Sequence, residues 1–142
     1  MSGAPRDVEA LRRIHFFEEL TDDDLARVAK LGQRRSFAAG ESLVERDTDR
    51  GGLFVLLSGR AQVEVGGVVH ELGPGDFFGE MALLGRTRRS ASVTASEPVE
   101  ALVIETIYFD PFLMQNPSVA VAILHGVVER LREVQERIDR AG

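Results

Sequence analysis

Between Gln33 and about Val103 the chain alternates short apolar runs with turns rich in glycine and proline, and this spacing limits the possible folds most. An alternating segment, Ser42-Leu43-Val44, precedes a continuous apolar run from Leu53 to Leu57. Two more apolar segments, Ala91 to Ala95 and Val99 to Ile104, flank Pro98. About eight short strands at such intervals are typical of an antiparallel barrel or roll.

The centre of this region predicts a tight hairpin. Gln62-Val63-Glu64-Val65 and Val68-Val69-His70-Glu71-Leu72 are separated only by Gly66-Gly67. A two-residue turn of this kind needs positive φ at both positions, and glycine adopts positive φ without a steric penalty.

Helical patterns flank the predicted strands. Asp7 to Ile14 has helical periodicity, and a second helix is predicted to begin at the capping residue Thr21 and to end after Leu31, at Gly32. Asp22, Asp23 and Asp24 occupy its first turn, where the helix dipole favours negative charge. Near the C-terminus, a helix is predicted from Asp110-Pro111 through Met114, followed by a break at Asn116-Pro117.

The last predicted helix, Ser118 to Arg140, has an apolar stripe at steps of three and four residues. This stripe can pack on the roll, pair with the same helix of a second subunit, or close over a bound ligand. Its residues are Val121, Leu124, Val128, Leu131, Val134 and Ile138.

The segment Phe77 to Val93, FFGEMALLGRTRRSASV, combines features of an anion site. Gly79 permits close backbone approach, Glu80 can accept hydrogen bonds from sugar hydroxyls, and Met81 to Leu84 can begin a short helix with free N–H groups. Arg89 offers a planar fork of donors for two phosphate oxygens. These residues indicate a phosphate-containing ligand, although a structural ion pair between Glu80 and Arg89 beside a buried helical turn is an alternative.

This segment resembles the phosphate-binding cassette of the cyclic-nucleotide-binding domain family, which occurs in catabolite activator proteins, protein kinase A regulatory subunits and cyclic-nucleotide-gated channels. FGEMALL, the spacer GRTR and RSASV fill the family pattern. The resemblance implies that Glu80 holds the ribose 2′-hydroxyl and that Arg89 with Ser90 holds the exocyclic phosphate oxygens. Arg86 and Arg88 fall in the variable spacer and are interpreted as solvated surface charges.

The resemblance also implies a base pocket and a moving helix. The final helix of such domains moves against the base of the bound nucleotide, and in the catabolite activators it also forms the dimer seam. The same residues can instead serve only as core or dimer-seam residues. The ligand-binding residues implied are Gly79, Glu80, Met81, Ala82, Arg89, Ser90 and Ala91 in the cassette, Val69 and Phe78 as pocket walls, and Val134 and Gln135 near the purine.

The expected fold class is mainly β with flanking helices: an antiparallel β-roll, similar to a double-stranded β-helix or jelly roll. We expect residues 1–142 to form a single domain, with N-terminal helices in 1–32, the roll in 33–104, the cassette in 77–93 and C-terminal helices in 106–140.

Several function classes are disfavoured by the sequence. The three histidines fall in different predicted elements, and no serine has an evident histidine base, so we expect neither an enzyme nor a metal site. The string Asp47 to Gly52 departs from a calcium loop at the fifth and twelfth positions. A net charge of −6 opposes nucleic-acid binding, and no signal peptide or membrane-spanning run is evident, so a cytoplasmic location is the default expectation.

Two hypotheses follow. The first is a sensor that binds cAMP, with cGMP as an alternative ligand, and reports occupancy through its C-terminal helix, which can also mediate a homodimer. The second is a scaffold of the same fold that has lost the ligand and binds a protein. The chain carries no recognisable effector such as a helix-turn-helix, so it is expected to be a stand-alone domain or a sensor fragment whose effector is unknown.

Overall fold

The described strands form two antiparallel four-stranded sheets, with strand orders β1-β8-β3-β6 and β2-β7-β4-β5. The structure is a computed structural model that describes residues 4–44, 52–85 and 91–141. The expected fold class, an antiparallel β-roll with flanking helices, is confirmed. Within the described residues the strands are β1 (Gln33–Phe37), β2 (Ser42–Val44), β3 (Gly52–Ser58), β4 (Ala61–Val65), β5 (Val68–Leu72), β6 (Phe77–Phe78), β7 (Ser92–Ala95) and β8 (Val99–Glu105).

Helices precede the roll, interrupt it at the cassette and follow it. The described helices are α1 (Ala4–Arg12), a 3-10 helix (His15–Phe17), α2 (Asp22–Ala29), α3 (Glu80–Gly85), α4 (Thr106–Gln115) and α5 (Pro117–Ala141). By contact density the chain divides into two compact units, residues 1–29 with 111–142 and residues 30–110.

The core of the roll lies between the two sheets and is built from alternate positions of each strand. Its apolar side chains exclude water from the space between the sheets, which is the main stabilising contribution to the roll. The buried members are Leu43, Phe54, Leu56, Ala61, Val93, Ala95, Val99, Ala101 and Val103, with Phe37, Val44, Val63, Leu72 and Phe78 packed against them.

The β4–β5 hairpin forms as the sequence indicates. Gly66 and Gly67 have φ values of 57° and 82°, and Val65 pairs directly with Val68 across the turn. Positive φ at both central positions matches the twist of the flanking strands. This turn fixes the register of β5 against β4.

The unit formed by residues 1–29 and 111–142 is held together by α5 and the N-terminal helices. The face of α5 that carries Val119, Ile123 and Gly126 is buried, and α5 packs on the 3-10 helix. Gly126 lies so close that a Cβ atom there would meet the Phe16 carbonyl oxygen at 2.9 Å and that of His15 at 3.0 Å. A side chain at position 126 would therefore separate the two helices.

Two predicted helix boundaries were wrong. Helix α4 begins at Thr106, four residues before Asp110, and Pro111 lies inside it. Helix α2 ends at Ala29 instead of Leu31, because the chain enters β1 at Gln33. The predicted cap of α2 is present, since Thr21 Oγ1 accepts a hydrogen bond from the Asp24 N–H at 3.1 Å.

No single described helix is long and apolar enough to cross a bilayer. Helices α4 and α5 meet that requirement only as a pair, and the pair is bent by 112° at its break.

Candidate functional site

The predicted cassette begins at a sharp change of backbone direction between β6 and α3. Gly79 has φ of 90°, in the left-handed region that favours glycine, and its carbonyl accepts the first α-helical hydrogen bond, from the Leu83 N–H at 2.9 Å. The N–H groups of Glu80, Met81 and Ala82 therefore precede the intrahelical hydrogen bonds of α3. This arrangement provides backbone donors suited to an anion.

Helix α3 is anchored on one side and open on the other. Ala82 and Leu83 are buried, and α3 packs on β3. Glu80 is half-buried, whereas the side chain of Met81 is 61% exposed. This packing fixes the start of the helix on β3, and Glu80 is its first residue.

A turn before the cassette ties it to the middle of β3. The Gly73 N–H donates to Asp76 Oδ2 at 2.8 Å, and the Asp76 N–H donates to the Gly73 carbonyl at 3.0 Å. Leu56 donates its N–H to the Asp76 carbonyl at 2.9 Å and accepts from the Gly75 N–H at 2.8 Å. These hydrogen bonds fix the segment that precedes the cassette to β3.

The predicted pocket-wall residue Phe78 lies on the inner face of its sheet. Its ring stacks on that of Phe54, with centroids 4.9 Å apart and planes inclined by 11°. Phe78 is half-buried and packs against the core. It therefore joins the cassette to the roll interior, and its contact with a base stays a prediction.

The end of the cassette enters β7. Ala91 is half-buried, and the strand that follows it pairs with β4, with Ser92 opposite Glu64 and Val93 opposite Val63. Arg89 and Ser90, the predicted phosphate ligands, lie outside the described residues, as do Arg86, Arg88 and most of the rejected calcium string. Their roles stay predictions.

Val69, the other predicted wall residue, lies on β5 opposite Glu64. It therefore shares a face with Glu64 and Ser92, whereas the adjacent row, Val63 and Val93, packs in the core. The Val69 side chain is 55% exposed. Its role as a pocket wall stays a prediction. The strand register places the row of Val63 and Val93, which the sequence analysis did not single out, on the inner face of this sheet.

Val134 and Gln135 lie on α5, in the unit that contains residues 111–142. Both are exposed, and Gln135 Nε2 donates to Asp139 Oδ1 at 3.1 Å. The predicted contact of these residues with a purine stays a prediction. On the same helix, a hydrogen bond to Glu129 raises the pKa of Arg132, helped by the negative charges of Glu129 and Glu136, so this side chain remains cationic.

Chemically, the described part of the cassette suits binding better than bond breaking. It offers backbone donors, a carboxylate and an adjoining apolar interior. Within residues 4–44, 52–85 and 91–141, no three His, Asp or Glu side chains come together as metal ligands.

Comparisons with known proteins agree with this geometry. The family profile of the cyclic nucleotide-binding domain matches residues 34–116. Glutaminase 2 from Bradyrhizobium diazoefficiens is 36% identical over 111 residues, which is 77% of this chain and 18% of that protein. The chain spans 18% to 35% of the length of the first three curated relatives that it matches.

Solved structures give the same result. The N-terminal domain of a transcriptional regulator from Streptomyces coelicolor has a TM-score of 0.79 at 27% identity, covering 91% of this chain and 94% of that one. The regulatory domain of Toxoplasma gondii protein kinase A, solved with cAMP, has a TM-score of 0.68 at 26% identity, covering 78% of this chain and 44% of that one.

Proposed function

This chain belongs to the cyclic nucleotide-binding domain family, and we propose that it is a sensor that binds cAMP and reports occupancy through its C-terminal helix. The observation that carries the proposal is the start of α3. Gly79, with φ of 90°, leads directly into a helix whose first residue is Glu80 and whose buried side is fixed on β3. A carboxylate and free N–H groups are thereby presented together, as a ribose with a cyclic phosphate requires.

In this proposal each part of the nucleotide has its own contacts. Glu80 accepts a hydrogen bond from the ribose 2′-hydroxyl, and the N–H groups of Met81 and Ala82 face the phosphate. Arg89 pairs with the exocyclic phosphate oxygens, assisted by the Ser90 hydroxyl and the Ala91 backbone. The carboxylate suits the ribose because it accepts hydrogen bonds from hydroxyl groups. The guanidinium suits the phosphate because it only donates hydrogen bonds.

The choice of cAMP is supported by the likeness to the Toxoplasma gondii regulatory domain that was solved with cAMP. The alternative is cGMP, since a serine hydroxyl at position 90 is compatible with either base. The two ligands share the ribose and phosphate, so the cassette contacts described above apply to both.

The signal in this proposal is a shift in the position of α5. Residues 33–104 hold the nucleotide, and residues 106–140 respond to it, with Val134 and Gln135 closing near the base. A ligand that binds the closed state more tightly shifts the population by that difference in affinity. A tenfold difference in affinity corresponds to about 1.4 kcal/mol of shift.

The exposed stripe of α5 supports a second role, assembly with another copy of the chain. Leu124, Val128 and Leu131 are exposed, while the opposite face, with Val119 and Ile123, is buried within its own unit. The stripe recurs with heptad-like spacing, which suits a pair of helices. We propose a homodimer through α5, with an effector that the sequence does not identify.

A thermal-shift panel tests the ligand proposal. Saturating cAMP or cGMP is expected to raise the melting temperature, because a ligand that binds only the folded state stabilises it by mass action. At 100 times Kd the stabilisation is about 2.7 kcal/mol. If cAMP, cGMP and cyclic di-GMP all leave the melting temperature unchanged, the chain is a ligand-free scaffold of this fold and the sensor proposal fails.

A further inference from the structure

Four of the described strands lie at sheet edges, and three of these have features that discourage pairing with another chain. β6 has two residues, and β2 has three, with an irregular register against β7. β1 carries Arg34 and Arg35, which pair with Glu100 and Glu105 at 3.3 and 2.6 Å. β5 is five residues long and contains no proline, lysine or arginine. It is therefore the described edge that is most open to a further strand.

The hairpin register determines which backbone groups of β5 point away from β4. Val65 and Val68 flank the Gly66-Gly67 turn, so they form a hydrogen-bonded pair, and bonded and non-bonded pairs alternate from there. Val69 and Glu71 therefore belong to non-bonded pairs, and their N–H and C=O groups point outward. Within residues 4–44, 52–85 and 91–141, no other segment hydrogen-bonds to these groups.

The side chains beside this edge are open to solvent on both faces of the sheet. On the outer face, Val69 is 55% exposed, and Glu64 and Glu71 are exposed. Arg60 Nη1 pairs with Glu71 Oε1 at 2.6 Å, which leaves Glu71 Oε2 for a second cation. On the inner face, Val68 is 55% exposed. The edge thus combines unpaired backbone groups with carboxylates on one face and apolar surface on the other.

A strand added beside β5 would continue the alternation of faces in the sheet. Its residues bonded to Val69 and Glu71 would lie on the outer face, and its intervening residues on the inner face, beside Val68 and Leu72. A lysine opposite Val69 can cover that valine with its methylene stem and extend towards Glu64, whose strand lies about 10 Å away across β5. The edge therefore suits a strand with basic residues at alternate positions and apolar residues between them.

We propose that β5 is a docking edge for a partner protein, which adds an extended segment of alternating basic and apolar residues to this sheet. The backbone of that segment exchanges hydrogen bonds with Val69 and Glu71, which supplies affinity, and its basic side chains face Glu64 and Glu71, which supplies selectivity. The net charge of −6 adds long-range attraction to a basic partner. The docking edge uses no residue of the cassette, so this inference goes beyond the proposed nucleotide site.

Fluorescence anisotropy with a labelled seven-residue peptide that alternates lysine and valine tests the proposal. Binding is expected to be at least about tenfold tighter than that of an isomer with its lysines and valines in separate blocks. Glu71→Pro is expected to weaken binding about tenfold or more, because proline removes an outward N–H that makes no bond to β4. Glu71→Ala, which keeps the N–H and removes only the carboxylate, is the matched control and is expected to lose about two- to fivefold.

Hydrogen exchange at single amides locates the bound peptide and needs no variant, so it decides the proposal even if Glu71→Pro does not fold. The peptide is expected to slow exchange at the Val69 and Glu71 N–H groups about tenfold or more. Exchange at His70, whose pair with Val63 is already bonded, is expected to stay unchanged.

Equal affinity for the alternating and the blocked peptides would overturn strand addition, as would binding without slower exchange at Val69 and Glu71. Equal weakening by Glu71→Pro and Glu71→Ala would overturn the backbone bond. If exchange at the same two amides slows as the chain is concentrated and the peptide does not bind, the edge pairs with a second copy of the chain, and the partner segment is overturned.

Discussion

The rings of Phe78 and Phe54 stack with centroids 4.9 Å apart and an interplanar angle of 11°, which couples the residue before the cassette glycine to the centre of β3. Phe54 also contacts Phe37, at 6.5 Å between centroids. The cassette is therefore mounted on the hydrophobic core of the roll, and the position of Gly79 and Glu80 depends on that packing.

Phe78→Ala is expected to lower the free energy of unfolding by about 2–3 kcal/mol, less than for a fully buried phenylalanine because Phe78 is half-buried. Urea unfolding measures this change. Val69→Ala, at an exposed position on the other sheet, is the control and is expected to alter stability by less than about 0.5 kcal/mol. A Phe78→Ala variant as stable as the control would contradict the anchoring role of the stack.

Gly79→Ala is expected to cost about 1–2 kcal/mol of stability, because an alanine disfavours the φ of 90° at this position. It is also expected to weaken cAMP binding, since α3 begins from this conformation. Urea unfolding and calorimetry measure the two effects.

Gly73→Ala is the matched control for this glycine. A Cβ atom at position 73 would have only Arg60 Nη1 nearby, at 3.8 Å. We expect this variant to bind cAMP as the unmodified chain does. If Gly79→Ala and Gly73→Ala behave alike in stability and binding, the conformation of Gly79 has no special role.

Gly126→Ala tests the close packing of α5 on the 3-10 helix. Helix propensity alone predicts stabilisation by about 1 kcal/mol. The added Cβ would lie 2.9 Å from the Phe16 carbonyl oxygen, a backbone atom that yields poorly, so we expect a net loss of about 1–2 kcal/mol. Val128→Ala, on the exposed stripe of the same helix, is the control and is expected to stay within about 0.5 kcal/mol. Stabilisation by Gly126→Ala would show that the contact relaxes without cost.

The sequence predicted the hairpin turn and the start of α2, because each depends on residues that are adjacent in the chain. Gly66-Gly67 indicated the hairpin because glycine adopts two successive positive φ values without a steric penalty, and Thr21 indicated the start of α2 because its hydroxyl oxygen can accept a hydrogen bond from the Asp24 N–H. The start of α4 was missed because Pro111 resembles a helix start, whereas here the preceding turn from Thr106 is already helical.

The inner face of β5 could not be identified in the same way. A strand pattern shows that Val69 and His70 point to opposite faces, but both residues of this short strand are exposed, so burial does not identify the inner one. Only pairing with β4 does so, since Val63, a core-facing residue, lies opposite His70. The cassette motif itself was visible because its chemistry lies within seventeen consecutive residues.

The central claim is that Glu80 and Arg89 hold the ribose and the phosphate of a cyclic nucleotide, and calorimetric titration of cAMP into matched variants tests it most directly. Glu80→Ala and Arg89→Ala are each expected to weaken binding about 10- to 100-fold, because each removes a charge-assisted hydrogen bond. Arg88→Ala, a spacer arginine one residue away, is expected to bind as the unmodified chain does. Unchanged cAMP affinity in both the Glu80→Ala and the Arg89→Ala variants would contradict the account.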